Sequence, residues 1–503
     1  MKQTAKGFLT HSQVRILFWI VFGLGALIRL VPLFYPMPLD DGLRRLSKSI
    51  EWAHRPEWYG LGGQWPPLIM YLQGILIRLG ADALWVAYSM GYLANVTSLV
   101  LVYRLSLALT GNAIVALWSL LASSIYWFHI TLVNKNLVEN FYTLTILAFI
   151  LIVVENLGKG RMRFSEIASL SGLMILMMLT RHEARLVWVV SCAYLLWHRE
   201  YQRFWILAVS GAMITAYLLG ENLLLRGSLL ADLESATRNF QTAAEITGVA
   251  PSIGERLFPI LRWYLPYHPS IILIGAILWG MYKSFRCTRA LFVILTCGAS
   301  FALVLFSIFT SPLIPYLRYF VPIVVPAMAF AGVGLTAIPV RGAAPLLLIA
   351  AIFVQSLQWY RANSLNAGHW HINHILPVQH LGPSQEMLRE VIVTLPRNSR
   401  IYAVIDYFTP VDISQVAINT QRYDLVPLFM RYKFYDQYSG KLITNEPTPE
   451  LLRQVNFVIV DRNHPRSQRV IRIVYLLGGR VVHERDSLVV FRMTYDDETD
   501  KSL

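Results

Sequence analysis

Residues 14–36 read VRILFWIVFGLGALIRLVPLFYP, and Pro38-Leu39-Asp40-Asp41 follows almost at once. A helix needs roughly 20 mainly apolar residues to cross a bilayer, so 14–36 predicts a membrane span. Carboxylates are costly next to hydrocarbon, and charged groups at membrane depth are usually functional. The pair Asp40-Asp41 therefore indicates a functional site at the end of the first span.

The composition predicts the same environment for much of the chain. Of its 503 residues, 55% are hydrophobic and 15% are charged, whereas ordinary soluble domains carry about 25% charged residues. A net charge of +14 would suggest a nucleic-acid partner in a soluble protein. Here much of that charge lies in short loops between apolar runs, where it sets membrane orientation instead. We therefore expect a polytopic α-helical membrane protein that does not bind nucleic acid.

Apolar runs of near-membrane length recur through the first 360 residues. The first is an uncleaved span, since it is too long for a signal peptide and more spans follow. The runs 165–181 and 185–199 are short for full spans. We predict about eleven spans in all: 14–36, 83–109, 112–131, 138–155, 165–181, 185–199, 203–222, 269–284, 290–310, 317–338 and 343–360.

The run 65–79 determines the orientation. It is short, begins with two prolines and carries Gln73 and Arg78, so we interpret it as a helix lying in the outer interface. With a cytoplasmic N-terminus, the short inner loops then carry basic residues in a consistent positive-inside pattern. These inner basic residues are Arg104, Lys159, Arg161, Arg163, Arg199, Arg203, Lys283, Arg286, Arg289 and Arg341.

The chain divides into a membrane domain, 1–360, and an extracytoplasmic α/β domain, 361–503. The membrane domain includes two outer loops, 37–82 and 223–268, and the second contains another candidate interfacial helix at 254–265. Beyond 361 the apolar runs shorten and turn residues become frequent. Short β-branched segments at 399–406, 456–461 and 487–493 predict strands, and 466–477 predicts a helix closed by Gly478-Gly479.

This topology brings polar residues from several span ends to the outer face. They are Asp40, Asp41, Lys135, Glu139, Arg181, His182, Glu183, Arg185 and Arg318. A carboxylate there can serve as a general base or a divalent-metal ligand, or the acidic pair can simply cap the helix that follows. The cations can hold a lipid-linked phosphate, or they can snorkel toward lipid headgroups. Arg181 and Arg185 would share a helix face only if one helix ran through both.

The remaining polar and aromatic residues allow more than one interpretation. Trp65, with three neighbouring aromatic residues at 52, 58 and 59, suits an interfacial belt or a surface that stacks on a sugar ring. His54 and His182 are too scattered to predict a metal site. The sequence contains no phosphate-binding loop, dinucleotide fingerprint or zinc-protease motif, which argues against a nucleotide-fuelled mechanism.

Four motifs in this order resemble the GT-C superfamily of integral-membrane glycosyltransferases, in particular the protein O-mannosyltransferase and aminoarabinose (lipid A) transferase group. They are the acidic pair after the first span, Trp65-Pro66-Pro67-Leu68, Glu139 at the start of the fourth span, and Arg318-Tyr319-Phe320-Val321-Pro322 with Pro326. The family has Asp-Glu where this chain has Asp40-Asp41, and a polar residue where this chain has Trp65. The resemblance covers roughly residues 10–360.

The resemblance implies an inverting transferase whose donor is a polyprenyl-phosphate-linked sugar. Asp40 would be the general base, while Asp41 and Glu139 would position the acceptor, the base or a divalent metal ion. Lys135, Arg181, Arg185 and Arg318 would bind the donor phosphate, and Trp65, His54, His182 and Glu183 would line the substrate site. The acceptor would be a lipid, glycan or protein at the outer surface of a membrane, in a bacterium the periplasmic or extracellular face.

Two other classes of function remain open from the sequence. A transporter or flippase of a lipid-linked or anionic substrate would usually show internal repeats and polar residues at mid-membrane, neither of which is evident here. A non-catalytic membrane scaffold would use the C-terminal domain for binding. A scaffold function predicts that substitutions at Asp40 have no effect on transfer activity.

Overall fold

The protein is described from a computed structural model. The described residues are 10–35, 37, 41–56, 67–229, 234, 270–310, 317–338, 342–364, 383–397, 399–404, 416–425, 449–453, 455–462, 467–485 and 487–493. They form two compact units, each assembled from separate stretches of the chain. The first unit comprises Met1–Tyr35, Gln64–Leu68 and Tyr88–Val378, and the second comprises Pro36–Gly63, Ile69–Ala87 and Gln379–Leu503.

Helices dominate the first half of the chain because its long apolar runs satisfy their backbone polar groups internally, as lipid demands. In chain order the helices are α1 (His11–Ile28), α2 (Asp41–His54), α3 (Leu68–Arg78), α4 (Ala83–Thr110), α5 (Ala113–Ser124), α6 (Trp127–Thr131), α7 (Val138–Asn156), α8 (Phe164–Met178), α9 (Ala184–Trp197) and α10 (Tyr201–Arg226).

The second half continues with shorter elements. They are α11 (Ile271–Ser284), α12 (Thr288–Thr310), α13 (Val321–Ala327), α14 (Ala331–Thr336), α15 (Ala343–Ser364), α16 (Pro383–Thr394), β1 (Ile401–Val404), α17 (Pro449–Leu452), β2 (Phe457–Asp461), α18 (Ser467–Leu476), β3 (Arg480–Arg485) and β4 (Leu488–Arg492). Single 3₁₀ turns occur at Val31–Phe34, Leu317–Phe320 and Met328–Phe330.

Six helical stretches of the described chain are long and apolar enough to cross a membrane. They are His11–Phe34, Ala83–Thr110, Val138–Asn156, Tyr201–Leu224, Thr288–Phe306 and Arg318–Thr336. The other five predicted spans coincide with the shorter apolar helices α5, α8, α9, α11 and α15. The number of eleven spans therefore stays a prediction, while each predicted range does contain helix.

Two predicted spans depart from a single regular α-helix. The run 112–131 breaks between α5 and α6, where Tyr126 takes an extended conformation with ψ of 90°. The run 317–338 alternates between 3₁₀ and α turns, because Pro326 lies inside α13 and cannot donate a helical hydrogen bond. Polar residues that the sequence singled out lie beside both segments: Lys135 follows the first, and Arg318 lies at the start of the second.

Glycines let the helices of the first unit approach closely around α14. A Cβ at Gly334 would lie 1.9 Å from the carbonyl oxygen of Ala276 on α11, and one at Gly332 would lie 2.0 Å from that of Val115 on α5. A Cβ at Gly280 would meet the Phe330 carbonyl at 2.0 Å. Small residues at helix interfaces permit this backbone contact in membranes, so α14 is fixed between α5 and α11.

The second unit contains a four-stranded sheet in the order β1-β2-β4-β3. Strands β1 and β2 are parallel, and β4 pairs antiparallel with both β2 and β3. Its buried apolar core lies between the sheet and α18, and comprises Tyr402, Leu452, Val455, Val458, Val460, Val470, Val474, Val489, Phe491 and Met493. The three predicted strands correspond to β1, β2 and β4, and the predicted helix to α18.

The structure adds elements that the sequence pattern did not indicate. Strand β3 is exposed along most of its length, so its alternation of polar and apolar residues is weak, and its pairing with β4 defines it as a strand. Helix α16 was likewise not predicted. The candidate interfacial helix at 254–265 lies outside the described residues.

Candidate functional site

The first turn of α7 carries a buried carboxylate. Glu139 is 1% exposed and follows Leu137, the N-cap of the helix. Negative charge is favoured at a helix N-terminus by the backbone dipoles. The carboxylate nevertheless needs a positive partner because it is removed from water.

Arg181 supplies that partner from the turn between α8 and α9. Its Nη1 donates to Glu139 Oε1 at 2.6 Å. Its Nε donates to Glu183 Oε2 at 3.0 Å, and its Nη2 donates to the other oxygen of the same carboxylate. Arg181 thus holds one carboxylate bidentately and reaches a second with the remaining nitrogen, a geometry that a guanidinium allows and an ammonium does not.

The 3₁₀ turn Leu317–Phe320 contributes a third segment to the cluster. Arg318 is 4% exposed, and its Nε lies 3.4 Å from Glu139 Oε1. The ring of Tyr319 lies 4.9 Å from the Arg181 guanidinium carbon and 5.6 Å from that of Arg318. The aromatic face contributes cation–π attraction to both arginines, so three segments distant in sequence meet around Glu139.

Electrostatics keeps the cluster charged. Burial acts to raise the pKa of Glu183, but the positive charge and hydrogen bonds of Arg181 outweigh burial, and the pKa lies below its ordinary value. Glu183 is therefore ionised at neutral pH, and Arg181 is locked between two carboxylates.

Several buried polar atoms near this cluster have no hydrogen-bond partner within the described part of the chain. They include Nε and Nη2 of Arg185, which lies in the first turn of α9, and the hydroxyl of Tyr142, one turn along α7 from Glu139. Leaving a buried donor unsatisfied costs about 1–3 kcal/mol, and more for a charged group. A ligand rich in acceptor oxygens would satisfy these donors.

The segment before α7 is buried and shaped by an unusual backbone conformation. Lys135 is 1% exposed, and Asn136 adopts a left-handed conformation with φ of 51°. Asparagine tolerates this region better than most residues. A side-chain hydrogen bond supports the turn, since Asn140 Nδ2 donates to the Leu132 carbonyl at 2.8 Å.

A buried arginine extends this support to α1. Arg29 is fully buried and donates from Nε to Asn95 Oδ1 at 2.6 Å. Asn95 Nδ2 in turn lies 3.2 Å from Asn140 Oδ1. The other Arg29 nitrogens donate to the carbonyls of Gly25, Ser123 and Ser124. Sequence reasoning missed Arg29, although an arginine inside the first apolar run is the kind of signal that marks a buried polar network.

The structure places the sequence-predicted site residues as follows. It brings together Glu139, Arg181, Glu183 and Arg318, and it places Arg185 within a turn of Glu183. The helix does not run through Arg181 and Arg185, because α8 ends at Met178 and α9 begins at Ala184. In the second unit, His54 is exposed at the end of α2, and its Nδ1 lies 2.8 Å from the Ile50 carbonyl. Asp40 and Trp65 lie outside the described residues, and Asp41 is described only as the first residue of α2.

Of the three candidate metal ligands, only Glu139 has a described side chain. Over the residues that the structure covers, there is no group of three or more His, Cys, Asp or Glu side chains that could hold one. Glu139, one of the three candidate ligands, is engaged by two arginines. Competing cations at a carboxylate disfavour a further positive ion.

Comparison with known proteins places the fold. No protein-family model matches the sequence, and no curated protein sequence does either. Among solved structures, ArnT from Cupriavidus metallidurans bound to undecaprenyl phosphate matches with a TM-score of 0.58 and 12% identity, covering 94% of this chain and 97% of that chain. The Archaeoglobus fulgidus oligosaccharyltransferase tethered with an acceptor peptide matches with a TM-score of 0.52 and 12% identity, covering 88% of this chain and 68% of that chain.

At such identities the likeness concerns the fold. The predicted architecture is confirmed in its coarse form: a mostly helical chain with a small sheet, whose described part has six helices long and apolar enough to cross a membrane.

Proposed function

We propose that this chain is a glycosyltransferase that moves a sugar from a polyprenyl-phosphate-linked donor to an acceptor hydroxyl at the outer face of the membrane. The fold supports this, since it is shared with ArnT, solved with undecaprenyl phosphate, and with an oligosaccharyltransferase solved with a tethered acceptor peptide. We propose a multi-pass protein of a bacterial inner or cell membrane. Its N-terminus would be cytoplasmic and its C-terminal domain periplasmic or extracellular.

The observation that carries the proposal is the group of buried donors beside the Glu139 network. Arg185 presents two buried nitrogens and Tyr142 a buried hydroxyl without partners among the described residues. A phosphate group offers several charged acceptor oxygens, and guanidinium groups bind it strongly. A donor with its phosphate at the bilayer surface would supply the missing acceptors.

The cations divide into two roles in this proposal. Arg181 is held by Glu139 and Glu183, so it organises the site and contributes a fixed positive field. Arg185, Lys135 and Arg318 would face the donor phosphate directly. Preorganised cations stabilise charge that develops on a leaving group without further reorganisation.

The reaction itself needs a base for the acceptor, which we assign to Asp40. The carboxylate takes the hydroxyl proton as the acceptor oxygen bonds to the anomeric carbon. The bond from that carbon to the phosphate oxygen breaks, and polyprenyl phosphate leaves with the electron pair. Attack opposite the leaving group inverts the anomeric centre. Asp41 would support the base, and His54, Trp65 and His182 would line the substrate path. No step is assigned to a metal ion.

The acceptor is proposed only as a lipid, glycan or protein hydroxyl. The test is consumption of purified polyprenyl-phosphate sugars by the protein in nanodiscs, comparing the wild type with Arg185→Met. Arg104→Met is the matched control, because Arg104 is an exposed arginine that pairs with Glu155 at 2.7 Å. We expect turnover by the wild type and Arg104→Met and strongly raised donor KM in Arg185→Met. Failure of the wild type to consume any donor would refute the proposal and favour a transporter or a scaffold.

A further inference from the structure

A ten-residue segment of the second unit, 416–425, forms hydrogen bonds to residues on either side of α2 and α3. We name it the anchor segment. It touches Met37, just before the acidic pair, and Asp82, just before α4. The partners are hundreds of residues apart in sequence, so the contacts are tertiary and specific.

The contact with Met37 is a two-way backbone clamp. The Met37 amide donates to Asn419 Oδ1 at 3.0 Å, and Asn419 Nδ2 donates to the Met37 carbonyl at 3.3 Å. The asparagine amide therefore pairs with Met37 as a neighbouring strand would. The Met37 side chain is fully buried, which fixes the residue by packing as well as by hydrogen bonds.

The anchor segment is itself rigidly built. A helical turn ends in a Schellman-type motif: the Arg422 amide donates to the Ala417 carbonyl at 2.8 Å, and the Gln421 amide donates to the Ile418 carbonyl at 3.1 Å. Gln421 takes the left-handed conformation that this motif requires, with φ of 58°. Val416, Ala417 and Ile418 are buried, so Asn419 projects from a fixed support.

Arg422 ties the anchor segment to the rest of the C-terminal residues. Its Nη1 donates to the carbonyls of Ile392 and Leu395, both at 2.7 Å, at the end of α16. Its Nε and Nη2 also pair bidentately with Asp424 at 3.0 Å. The last carbonyls of a helix lack helical partners and favour a cation. The anchor segment is thus fastened before it reaches Met37.

The acidic pair follows Met37 closely in the chain. Met37 precedes Asp40 by three residues, and Asp41 begins α2. The few residues between are therefore bounded by a clamped residue on one side and a helix on the other. We propose that Asn419 is a positioning residue, which holds the backbone before Asp40 so that its carboxylate is set for general-base catalysis. This inference rests on the proposed function.

A misplacement of about 1 Å in a catalytic group can lower a rate by about a hundredfold. A positioning residue should therefore affect kcat and leave donor binding intact. The test variant is Asn419→Leu, which keeps the branched shape of the side chain and removes both hydrogen bonds. The control is Tyr423→Phe, from the same segment, which removes the hydroxyl that donates to Asp82 Oδ2 at 2.8 Å and leaves Met37 untouched.

We expect Asn419→Leu to lower kcat for sugar transfer by about ten- to hundredfold, with donor KM within about twofold of the wild type. Hydrogen–deuterium exchange should also accelerate in the peptide containing Met37. Tyr423→Phe should change neither quantity. Unchanged kcat or unchanged exchange in Asn419→Leu would overturn the inference, and so would an equal loss of kcat in Tyr423→Phe, since that indicates a general structural effect.

The two proposals fail in distinguishable ways. If the wild type consumes no donor, the proposed function falls and the positioning role falls with it, although the exchange rates still report whether Asn419 holds Met37. If the wild type is active and Asn419→Leu retains full kcat, only the positioning role is refuted.

Discussion

Arg181 Nη1 donates to Glu139 Oε1 at 2.6 Å, across 42 residues of sequence, and the same guanidinium grips Glu183 with its other two nitrogens. Side-chain exposure is 11% for Arg181 and 1% for Glu139. Burying an ion pair costs desolvation free energy, and removing one partner is strongly destabilising because it leaves a buried charge uncompensated. The arrangement therefore makes the cluster sensitive to the loss of either partner.

Replacement of Arg181 by methionine should destabilise the protein by about 3–5 kcal/mol, because two carboxylates lose their shared cation. The additional change Glu139→Gln should recover part of the loss, since it removes the uncompensated buried charge. Thermal unfolding of the purified protein in detergent measures both effects. A double variant no more stable than Arg181→Met would show that Glu139 and Arg181 do not depend on each other.

Acid should weaken the same cluster through Glu183. Its pKa is lowered in the folded protein, so its contribution to stability is fully present above the ordinary carboxyl pKa, about 4.3, and is lost as pH falls through the lower folded value. The wild type should exceed Glu183→Gln in melting temperature at pH 7, and the difference should shrink below about pH 4.5. A difference that stays constant with pH would contradict an ionised Glu183.

The left-handed conformation of Asn136 should tolerate glycine and reject a β-branched residue. Such a conformation costs a non-glycine residue about 1–3 kcal/mol, and asparagine is among the residues that bear it best. Asn136→Gly should therefore retain stability and fold, whereas Asn136→Val should lower the free energy of unfolding. Equal melting temperatures for the two variants would be inconsistent with φ of 51° at this position.

Close packing around α14 predicts opposite effects for two glycine-to-alanine changes. In Gly334→Ala the new Cβ would meet the Ala276 carbonyl oxygen at 1.9 Å, so the helices must separate and stability should fall. At Gly298, inside α12, a Cβ would meet nothing within 4 Å, and Gly298→Ala should be neutral or gain up to about 1 kcal/mol through helix propensity. Comparison of the two melting temperatures checks the packing.

Much of the fold was predictable because membrane helices follow directly from apolar length. Each predicted span range contains helix, and the segments that became β1, β2, β4 and α18 were expected from their local pattern. The alternation of 3₁₀ and α turns in 317–338 was not predicted, although Pro322 and Pro326 are evident in the sequence. Strand β3 escaped prediction because its exposed residues carry little pattern, and pairing with β4 determines its conformation.

The residues of the buried polar cluster around Glu139 were singled out from the sequence, but their pairing was not. The outer-face set included Glu139, Arg181 and Arg318, yet the sequence assigned all the arginines alike to the donor phosphate. The structure shows Arg181 occupied by two carboxylates. Contacts such as Asn419 with Met37, separated by 382 residues, depend on how the whole unit folds and leave no local signal.

We propose that this protein transfers a sugar from a polyprenyl-phosphate donor with Asp40 as the base. The most direct test is transfer to acceptor in nanodiscs by the wild type, Asp40→Asn and Glu155→Gln, at matched protein levels. Asn keeps the shape of Asp and removes the base, while Glu155 is a partly exposed carboxylate paired with Arg104. We expect transfer by the wild type and Glu155→Gln, with inverted anomeric configuration, and none by Asp40→Asn. Equal transfer by Asp40→Asn would contradict the assignment of the base. Absence of transfer by the wild type would contradict the proposed glycosyltransferase function.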